Sequence, residues 1–306
     1  MACYHPLQAY RTDSGEIVFS PGRGEHRELK LPCGRCIGCR LEHSRQWAVR
    51  CMHEAQMHEQ NSYITLTYAP EHLPPNGSLH YPDFQAFMKR LRIHAQRKHG
   101  IKNVRFYMCG EYGENLSRPH YHAVVFGYDF ADKTPFQKNK SGHTLCISAE
   151  LTEIWGLGHC LVGDVTFQSA AYVARYIMKK QNGKSVNPDT GLPYEDHYYQ
   201  GGGEYLTKEF NKMSLKPGIG ANWWHKFKDD VKSQDQIIVN GKPCKPPKYY
   251  DKLHALEDPL DFEATQYQRY LNSLPFAENS TPERLEVREE VALAKISRLK
   301  RSMEQS

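Results

Sequence analysis

The sequence predicts an α+β fold in which one open antiparallel sheet of about five strands is flanked by helices. Two patterns predict this fold. Short runs rich in β-branched and aromatic residues alternate with longer segments in which apolar residues recur at helical spacing. Two of the short runs are separated only by a polar turn at residues 110–119, which is typical of an antiparallel hairpin. With 306 residues the chain is long enough for one substantial core and accessory segments.

Each predicted element has its own composition and boundary signals. The strands are rich in β-branched and aromatic residues and are expected at residues 61–68, 103–109, 120–126 and 162–167. The helices have one apolar face and are expected at residues 41–59, from Asp83 onward, at 168–180 and at 281–301. Asp83 and Ser169 are predicted N-caps, and Pro282 is predicted at the first helical position. Residues 1–32 are predicted to be irregular.

Composition narrows the class of protein. Charged residues make up 25% and hydrophobic residues 39%, as in an ordinary globular protein. No apolar run reaches the roughly 18 residues of a membrane span, and the N-terminus, MACYHPLQAY, has no apolar core of a secretory signal. In a reducing cytosol the nine cysteines are expected to be thiols or metal ligands. The net charge of +5 and the basic clusters at 89–98, 179–180 and 242–248 fit a solvated surface or a polyanionic partner.

One candidate metal site is the motif His120-Tyr121-His122. On a strand, alternate side chains share a face, so both imidazoles would point to one side of the sheet. Glu111 ends the preceding strand, where hairpin pairing would bring its carboxylate beside the imidazoles, and Glu114 in the turn is the alternative. Two histidines and one carboxylate form a metal site with open positions for substrate and water. Alone the motif is weak, because 16 histidines in 306 residues give roughly one such spacing by chance.

A second candidate is the pair Tyr172 and Tyr176 in AAYVARYIMKK. Their i, i+4 spacing places both hydroxyls on one helical face, with Lys180 a turn further and Lys179 beside it. A phenol that attacks a phosphodiester forms a phosphotyrosine link, and a second phenol permits a second attack before the first adduct is released. A lysine would stabilise charge on the attacking or leaving oxygen. The simpler interpretation is a pair of amphipathic tyrosines at the edge of a core.

Two other patterns are weaker. Tyr194 and Tyr198 have the same spacing but follow Gly191-Leu192-Pro193 in a turn-rich stretch, where helical geometry is doubtful. The segment 183–185, Gly-Lys-Ser, has the tail of a phosphate-binding P-loop. However, Met178 occupies the place of the first glycine and the segment follows a helix rather than a strand. The chain therefore shows no ATPase motif, and strand unwinding would need a partner.

A third candidate is the closely spaced trio Cys33, Cys36 and Cys39. Three thiolates at this spacing would chelate a borderline ion, most simply Zn²⁺, which takes four ligands in structural sites. The candidates for the fourth ligand are Cys3, His43 and Cys51. Cys3 is preferred because Cys51 lies on the apolar face of a predicted helix. Free thiols without metal are the alternative.

Several of these segments carry a family resemblance. RPHYHAVVF resembles the His-hydrophobic-His motif of rolling-circle replication initiators and relaxases, and AYVARYIMKK resembles the two-tyrosine helix of their phage branch. The resemblance extends through MACYHP, LPCGRCIGCR, RQWAVRC, YITLTY, FYMCGEYG and MSLKPGIG, and so covers most of residues 1–225. The sequence is most similar to the replication initiators of small single-stranded DNA phages, the gokushovirus group of the Microviridae. Tyr121 departs from the pattern, since an aliphatic residue is commoner there.

The resemblance implies the rolling-circle initiator endonuclease fold and a metal-dependent, site-specific single-strand endonuclease and strand transferase. Such an enzyme forms a 5′-phosphotyrosine link at the viral origin and later religates the circle. It implies His120 and His122 as ligands of a catalytic Mg²⁺ or Mn²⁺ ion, Glu111 as the acidic ligand, and Tyr172 and Tyr176 as nucleophiles.

The domain organisation and the partners follow from the same resemblance. We expect a Cys-rich segment at 1–40, a catalytic nuclease domain at 41–182 and an accessory region at 183–306 with a C-terminal helix. The expected partners are single-stranded and supercoiled viral DNA at the origin, with a host helicase, polymerase and single-strand-binding protein. The expected location is the cytoplasm of the bacterial host cell.

Two alternative functions come from other classes. One is a non-catalytic single-stranded DNA-binding protein, in which aromatic residues stack on bases and basic helices track the backbone. The other is a non-haem iron oxygenase that uses the same two histidines and a carboxylate. Such an oxygenase needs neither a tyrosine pair beside lysines nor a basic helix, so the sequence favours it less.

Overall fold

The computed structural model describes residues 3–21, 24, 26–113, 116–139, 142–179, 198–201 and 204–298; the side chains of 175–179, 200, 201, 204 and 298 lie outside that description. Residues 44–250 form one compact unit, and residues 1–43 with 251–300 form another. Within the described residues, no helix combines the length and the apolar character that crossing a bilayer requires.

The elements alternate irregularly between strands and helices along the chain. The strands are β1 (Leu7–Thr12), β2 (Ile17–Val18), β3 (His26–Leu31), β4 (Asn61–Thr67), β5 (Arg105–Tyr112), β6 (Pro119–Phe126), β7 (Thr134–Lys138), β8 (Thr144–Ile147), β9 (Cys160–Gly163), β10 (Tyr199–Gly201), β11 (Glu204–Tyr205), β12 (Phe210–Met213), β13 (Ile237–Val239) and β14 (Lys242–Cys244). The helices are α1 (Ile37–Ala55), α2 (Tyr81–His99), α3 (Ala149–Trp155), α4 (Phe167–Lys179), α5 (Ala221–Gln234), α6 (Lys248–Glu257), α7 (Pro259–Ser273) and α8 (Pro282–Arg298). Short 3-10 turns lie at Pro70–His72, Pro75–Gly77, Leu274–Phe276 and Glu278–Ser280.

The unit of residues 44–250 is built on a seven-stranded antiparallel sheet with the order β12-β5-β6-β4-β9-β8-β7. The predicted α+β class with a large antiparallel sheet is confirmed, and the predicted hairpin is β5–β6. The expected number of about five strands is wrong. The prediction misses β7, β8 and β12 because they are short and none contains a buried residue, so they lack the alternation that marks a half-buried strand.

The two faces of this sheet are covered by different helices. Ile64 and Leu66 of β4 face a core with α2 and α3, which includes Phe84, Phe87 and Trp155. The alternate residue Tyr63 faces the second core, which contains the buried side chains Ala48 and Cys51 of α1 and Ala170, Tyr172 and Val173 of α4. Because strand side chains alternate, each central strand supplies one row of residues to each core. The candidate site lies on the face covered by α1 and α4.

Three helix starts differ from the prediction. α2 begins at Tyr81 with a proline in its first turn, so Asp83 lies inside that turn, where its carboxylate accepts a 2.7 Å hydrogen bond from the Tyr68 hydroxyl. At α4 the cap is a reciprocal pair: Ser169 Oγ accepts from the Thr166 N–H at 2.8 Å, and Thr166 Oγ1 accepts from the Ser169 N–H at 3.1 Å. Asp83 and Ser169 are therefore not the N-caps. α1 begins at Ile37, ahead of the predicted start.

The unit of residues 1–43 and 251–300 contains a three-stranded antiparallel sheet with the order β2-β1-β3. The prediction that residues 1–32 are irregular is wrong, because β1 pairs with β3 from Leu7↔Leu31 to Thr12↔His26. These strands are mostly polar and exposed, so they give no hydrophobic alternation in the sequence. Later in the same unit, α8 begins at Pro282, as predicted.

The domain boundaries expected after residues 40 and 182 stay predictions. β12, which lies beyond residue 182, hydrogen-bonds along β5 from Phe210↔Gly110 to Met213↔Tyr107 and forms an edge of the central sheet. The compact unit that holds the candidate site therefore includes strand residues from the region expected to be accessory.

Candidate active site

The ladder of the central sheet sets the positions of the candidate metal ligands. His120 and His122 lie on β6, and Glu111 lies directly opposite His120 on β5. All three point to the same face of the sheet, because each residue is separated by an even number of positions from its neighbours in the ladder. Tyr121 points to the other face, where its hydroxyl donates to the His80 carbonyl at 2.8 Å. The bulky middle residue of the motif is thus a core residue.

The three side chains meet at one carboxylate oxygen. Glu111 Oε1 lies 2.7 Å from His120 Nε2 and 2.9 Å from His122 Nε2. The far nitrogen of His120, Nδ1, lies 3.1 Å from the Arg118 carbonyl, which only accepts, so Nδ1 carries the proton. In the neutral ring, Nε2 then presents its lone pair toward the carboxylate. The structure thus brings together all three residues expected to bind the catalytic metal.

This donor set fits a divalent cation. The ligand atoms of Glu111, His120 and His122 lie within 4.8 Å of one another. The second carboxylate oxygen, Glu111 Oε2, is buried and has no hydrogen-bond partner among the described residues. A buried carboxylate oxygen without a partner is costly unless an ion or water satisfies it. Two imidazoles and one carboxylate suit Mn²⁺, Fe²⁺ or Zn²⁺ and leave coordination positions open.

Electrostatics favour the charged form of the carboxylate. Glu111 is only 2% exposed, and burial alone would raise its pKa. Hydrogen bonds and the nearby charge of His120 and His122 outweigh burial and hold the pKa of Glu111 below its usual value. The site therefore presents a carboxylate anion rather than a neutral acid at neutral pH.

Tyr172 of α4 lies against one of the histidines. Its ring centroid is 5.1 Å from that of His122, with the two planes perpendicular, and the side chain is 6% exposed. The α4 backbone is fixed on both sides of this residue. Ser44 Oγ of α1 donates to the Ala171 carbonyl at 3.3 Å, and Asn211 Nδ2 of β12 donates to the Val173 carbonyl at 2.9 Å. The helix thus presents Tyr172 to the metal-ligand group.

The remaining residues of the predicted catalytic helix are described only in part. Tyr176 and Lys179 lie further along α4, but their side chains are outside the described residues, as is all of Lys180. The alternative carboxylate Glu114 and the rival Tyr194 also lie outside them. Tyr198, the partner of that rival pair, is buried, and its hydroxyl lies 3.5 Å from a carboxylate oxygen of Glu209 rather than in the histidine group.

Two further residues of the site were not predicted. The Tyr63 hydroxyl lies 2.8 Å and the Thr65 hydroxyl 2.9 Å from His122 Nδ1. Thr65 is directly opposite His122 in the β4–β6 ladder, on the side away from Glu111. Hydrogen bonding at Nδ1 fixes the orientation of a metal-ligating histidine and directs Nε2 to the metal. The signal was present in the alternation of YITLTY, but it acquires meaning only when β4 is known to neighbour β6.

Tyr63 keeps its proton at this position. Burial, followed by the nearby Tyr172, Cys109 and Glu111, raises the pKa of Tyr63 well above its usual value. Its hydroxyl therefore stays neutral and acts as a hydrogen-bond partner of His122. A phenol held in this state is a positioning group, not an activated nucleophile.

The four cysteines of the predicted zinc site also come together. The sulfur atoms of Cys3, Cys33, Cys36 and Cys39 all lie within 4.8 Å of one another. Burial alone would raise the pKa of the Cys36 thiol, but the Tyr4 N–H and bonds from neighbouring cysteines lower it to about 7. The alternative fourth ligands, His43 and Cys51, are not in the group, and Cys51 is fully buried in the core beneath the central sheet.

A third group of potential ligands, His94, His99 and Glu150, was not predicted. Glu150 Oε2 already lies 2.5 Å from Lys98 Nζ, and its other oxygen accepts from the Tyr128 hydroxyl. The ammonium group compensates the carboxylate without a metal ion. We interpret this group as a surface ion-pair network between α2 and α3.

Sequence comparisons place the chain among known proteins. A family model that describes replication-associated proteins of the ORF2 type matches residues 61–181. The replication-associated protein VP4 of Bdellovibrio phage phiMH2K is 32% identical over 266 residues, which are 85% of this chain and 79% of that protein. The chain belongs to this family of phage replication-associated proteins. The resemblance predicted from the motifs is thereby confirmed.

Two other members of the family are similar over most of the chain. The replication-associated protein ORF2 of Spiroplasma virus 4 is 28% identical over 274 residues, 82% of this chain and 80% of that protein. The replication-associated protein ORF4 of Chlamydia phage 1 is 36% identical over 243 residues, 78% of this chain and 57% of that protein. No solved structure matches the chain. The matched segment 61–181 contains both β strands of the ligand group and α4.

Proposed function

We propose that the chain initiates rolling-circle replication of a phage genome as a metal-dependent, site-specific DNA nicking and strand-transfer enzyme. The observation that carries this proposal is the contact between Tyr172 and His122. It places a potential nucleophile beside a group of two histidines and one carboxylate. The membership in a family of replication-associated proteins supports DNA at a phage origin as the substrate.

Each side chain has a definable task in this reaction. Glu111, His120 and His122 would hold Mg²⁺ or Mn²⁺, and the ion would polarise the scissile phosphate. The phenol oxygen of Tyr172 or Tyr176 attacks phosphorus and the bond to the 3′ oxygen of the preceding nucleotide breaks. The phenol proton leaves and the departing 3′ oxygen takes up a proton. The products are a 5′-phosphotyrosine link and a free 3′ hydroxyl.

The link keeps the energy of the broken bond for the closing step. After one round, the second tyrosine would cut the regenerated origin, and the free 3′ hydroxyl would attack the first phosphotyrosine to close the circle. Lys179 and Lys180 follow the tyrosines in sequence and would stabilise charge on the attacking or leaving oxygens. A host polymerase would extend the 3′ hydroxyl while a host helicase and a single-strand-binding protein open and cover the strands.

The test is the formation of a covalent adduct. We would incubate the protein with labelled single strands that tile the viral genome, with Mn²⁺, Mg²⁺ or a chelator, and then denature the mixture. We expect one strand to give a labelled protein band in the presence of metal and none with the chelator. Binding of the same strands without any adduct would support the non-catalytic single-stranded DNA-binding alternative and overturn the proposal.

A further inference from the structure

The second ligand group is closed and made only of sulfur. Cys3 precedes β1, and Cys33, Cys36 and Cys39 lie between β3 and the first turn of α1. The sulfur atoms lie within 4.8 Å of one another, and Cys3 and Cys36 are buried. Gly34 adopts a φ of 73°, a conformation that glycine favours, and so lets the chain turn between Cys33 and Cys36. Residues far apart in the sequence thus converge on one point.

Backbone donors point at these sulfur atoms. The Tyr4 N–H donates to Cys36 Sγ at 3.3 Å, and the Cys33 N–H donates to Cys3 Sγ at 3.2 Å. Cys33 Sγ accepts from the Arg35 and Cys36 N–H groups at 3.4 and 3.3 Å. Such donors stabilise negative charge on sulfur, as do the outer hydrogen bonds of metal–thiolate sites. The arrangement therefore suits four thiolates around a cation.

A disulfide does not explain the group. The sulfur atoms of Cys3 and Cys36 are 3.9 Å apart, far beyond an S–S bond of about 2.05 Å, and the cysteines of the described residues are free. Four thiols gathered without bonding would otherwise repel as they ionise. A tetrahedral four-cysteine set is the ligand set of structural zinc.

The surrounding sheet needs such a support. Within β1, β2 and β3 only Ala9 is buried. A small sheet without a hydrophobic face is not stable in water by itself. Metal binding supplies folding free energy to small segments that cannot build a core. Cys3 at one end of this sheet and Cys33 at the other are placed to supply that support.

We propose that Cys3, Cys33, Cys36 and Cys39 bind one structural Zn²⁺ ion that ties the N-terminal segment to the start of α1 and stabilises the β2-β1-β3 sheet. The site is independent of the DNA-nicking function proposed above. All four positions are filled by protein ligands, so the ion has no open position for a substrate.

The test is the metal content of the full chain, purified under reducing conditions. We expect about one zinc ion per chain in the four-thiol group. The His120→Ala/His122→Ala variant is measured in parallel, so that zinc bound at the histidine group is not counted. Zinc bound to that variant in the same amount, and absent iron and sulfide, supports the proposal. Iron with acid-labile sulfide, or folded protein with no metal, overturns it.

A matched pair of variants locates the ion. Cys33→Ser is expected to lose the zinc, whereas Cys146→Ser, which removes an equally half-buried cysteine from β8, is expected to keep it. Cys33→His retains a zinc ligand and is expected to retain the ion, which distinguishes lost ligation from a general failure to fold. Zinc retained equally in Cys33→Ser and Cys146→Ser would contradict the site.

Discussion

The chain holds two groups of metal-binding side chains that differ in chemistry and in support. Glu111, His120 and His122 offer three nitrogen and oxygen ligands on two neighbouring strands of the central sheet. The thiol group offers four sulfur ligands on segments that flank a small sheet. Three mixed ligands leave positions for substrate and water, whereas four thiolates close the coordination sphere. The number and kind of ligands therefore separate a proposed catalytic centre from a proposed structural one.

The direction of support is opposite in the two groups. The histidine group rests on strands whose central residues are almost all buried, so the protein positions the ligands before any metal binds. The thiol group lies beside strands in which only Ala9 is buried, so we expect the metal to position the protein. Loss of metal should consequently remove activity in the first case and structure in the second.

The largest expected effect tests the first half of this contrast. Replacing His120 or His122 with Ala should reduce metal-dependent strand cleavage by about 10³-fold or more, because a lost ligand removes several kcal/mol of transition-state stabilisation. Cleavage rates across a range of Mn²⁺ concentrations measure this, with the exposed His72→Ala as the control. Thermal unfolding should change little in all three variants. Undiminished cleavage by the double histidine variant would remove the metal assignment.

The next effect tests the second half. Cys36→Ser should accelerate proteolytic cleavage within residues 1–43 by at least about tenfold, because loss of zinc lowers the free energy of local unfolding. His120→Ala should leave the cleavage rate of that segment unchanged. Limited proteolysis followed by mass spectrometry measures both variants. Equal protection of residues 1–43 in the two variants would mean that the thiol group does not stabilise its sheet.

A smaller effect sharpens the description of the histidine group. Thr65→Val and Tyr63→Phe each remove a hydroxyl from His122 Nδ1, and each should weaken Mn²⁺ binding by about 10- to 100-fold. Thr65→Ser keeps the hydroxyl and should restore affinity. The readout is the Mn²⁺ affinity together with the metal concentration at half-maximal cleavage. If Val and Ser variants bind Mn²⁺ alike, Thr65 only fills space.

The smallest effect concerns a buried histidine that belongs to neither group. Burial lowers the pKa of His53 to about 3, and its ring stacks on Trp223 with centroids 3.5 Å apart. The unfolded chain takes up a proton near pH 6.5 while the folded chain does not, so stability falls as pH decreases from about 6.5 toward 3. Between pH 7 and pH 6 the expected loss from this residue is about 0.7 kcal/mol.

The variant His53→Asn isolates this contribution. Asn keeps a polar atom near the Tyr250 hydroxyl, which lies 2.8 Å from His53 Nδ1, but it does not titrate. The free energy of unfolding, measured by urea at pH 7 and pH 6, should therefore lose about that much of its pH dependence. The exposed His72→Gln serves as the control. An unchanged pH dependence in His53→Asn would contradict the neutral, buried assignment.

The sequence predicted the residues of each ligand group better than their surroundings. Strand alternation predicts that His120 and His122 share a face, and hairpin pairing predicts that Glu111 joins them. Tyr63 and Thr65 escaped because the order of strands in the sheet, with β4 between β6 and β9, is not encoded in local patterns. β12 escaped for the same reason, since its partner β5 is distant in the sequence. Local periodicity reveals faces, and only the tertiary fold reveals neighbours.

The N-terminal region shows a different limit. Its strands are polar and exposed, so no hydrophobic pattern announces them, and residues 1–32 were expected to be irregular. The cysteine spacing in the same region was informative, because thiol chemistry does not depend on burial patterns. Cys3 and the trio 33–39 were grouped from the sequence, while the sheet between them was not. Ligand chemistry thus outlasts the loss of secondary-structure signal.

The most direct test of the central claim is to map the residue that becomes linked to DNA. After reaction with the cleaved strand and Mn²⁺, protease digestion and mass spectrometry should find the nucleotide on Tyr172 or Tyr176. Each single Tyr→Phe variant should still make the first cut but fail in coupled strand closure, since that step needs two phenols in turn. The double variant should bind the strand, because phosphate contacts dominate affinity, yet form no adduct. An adduct on Tyr194, Tyr198 or any other residue would contradict the account.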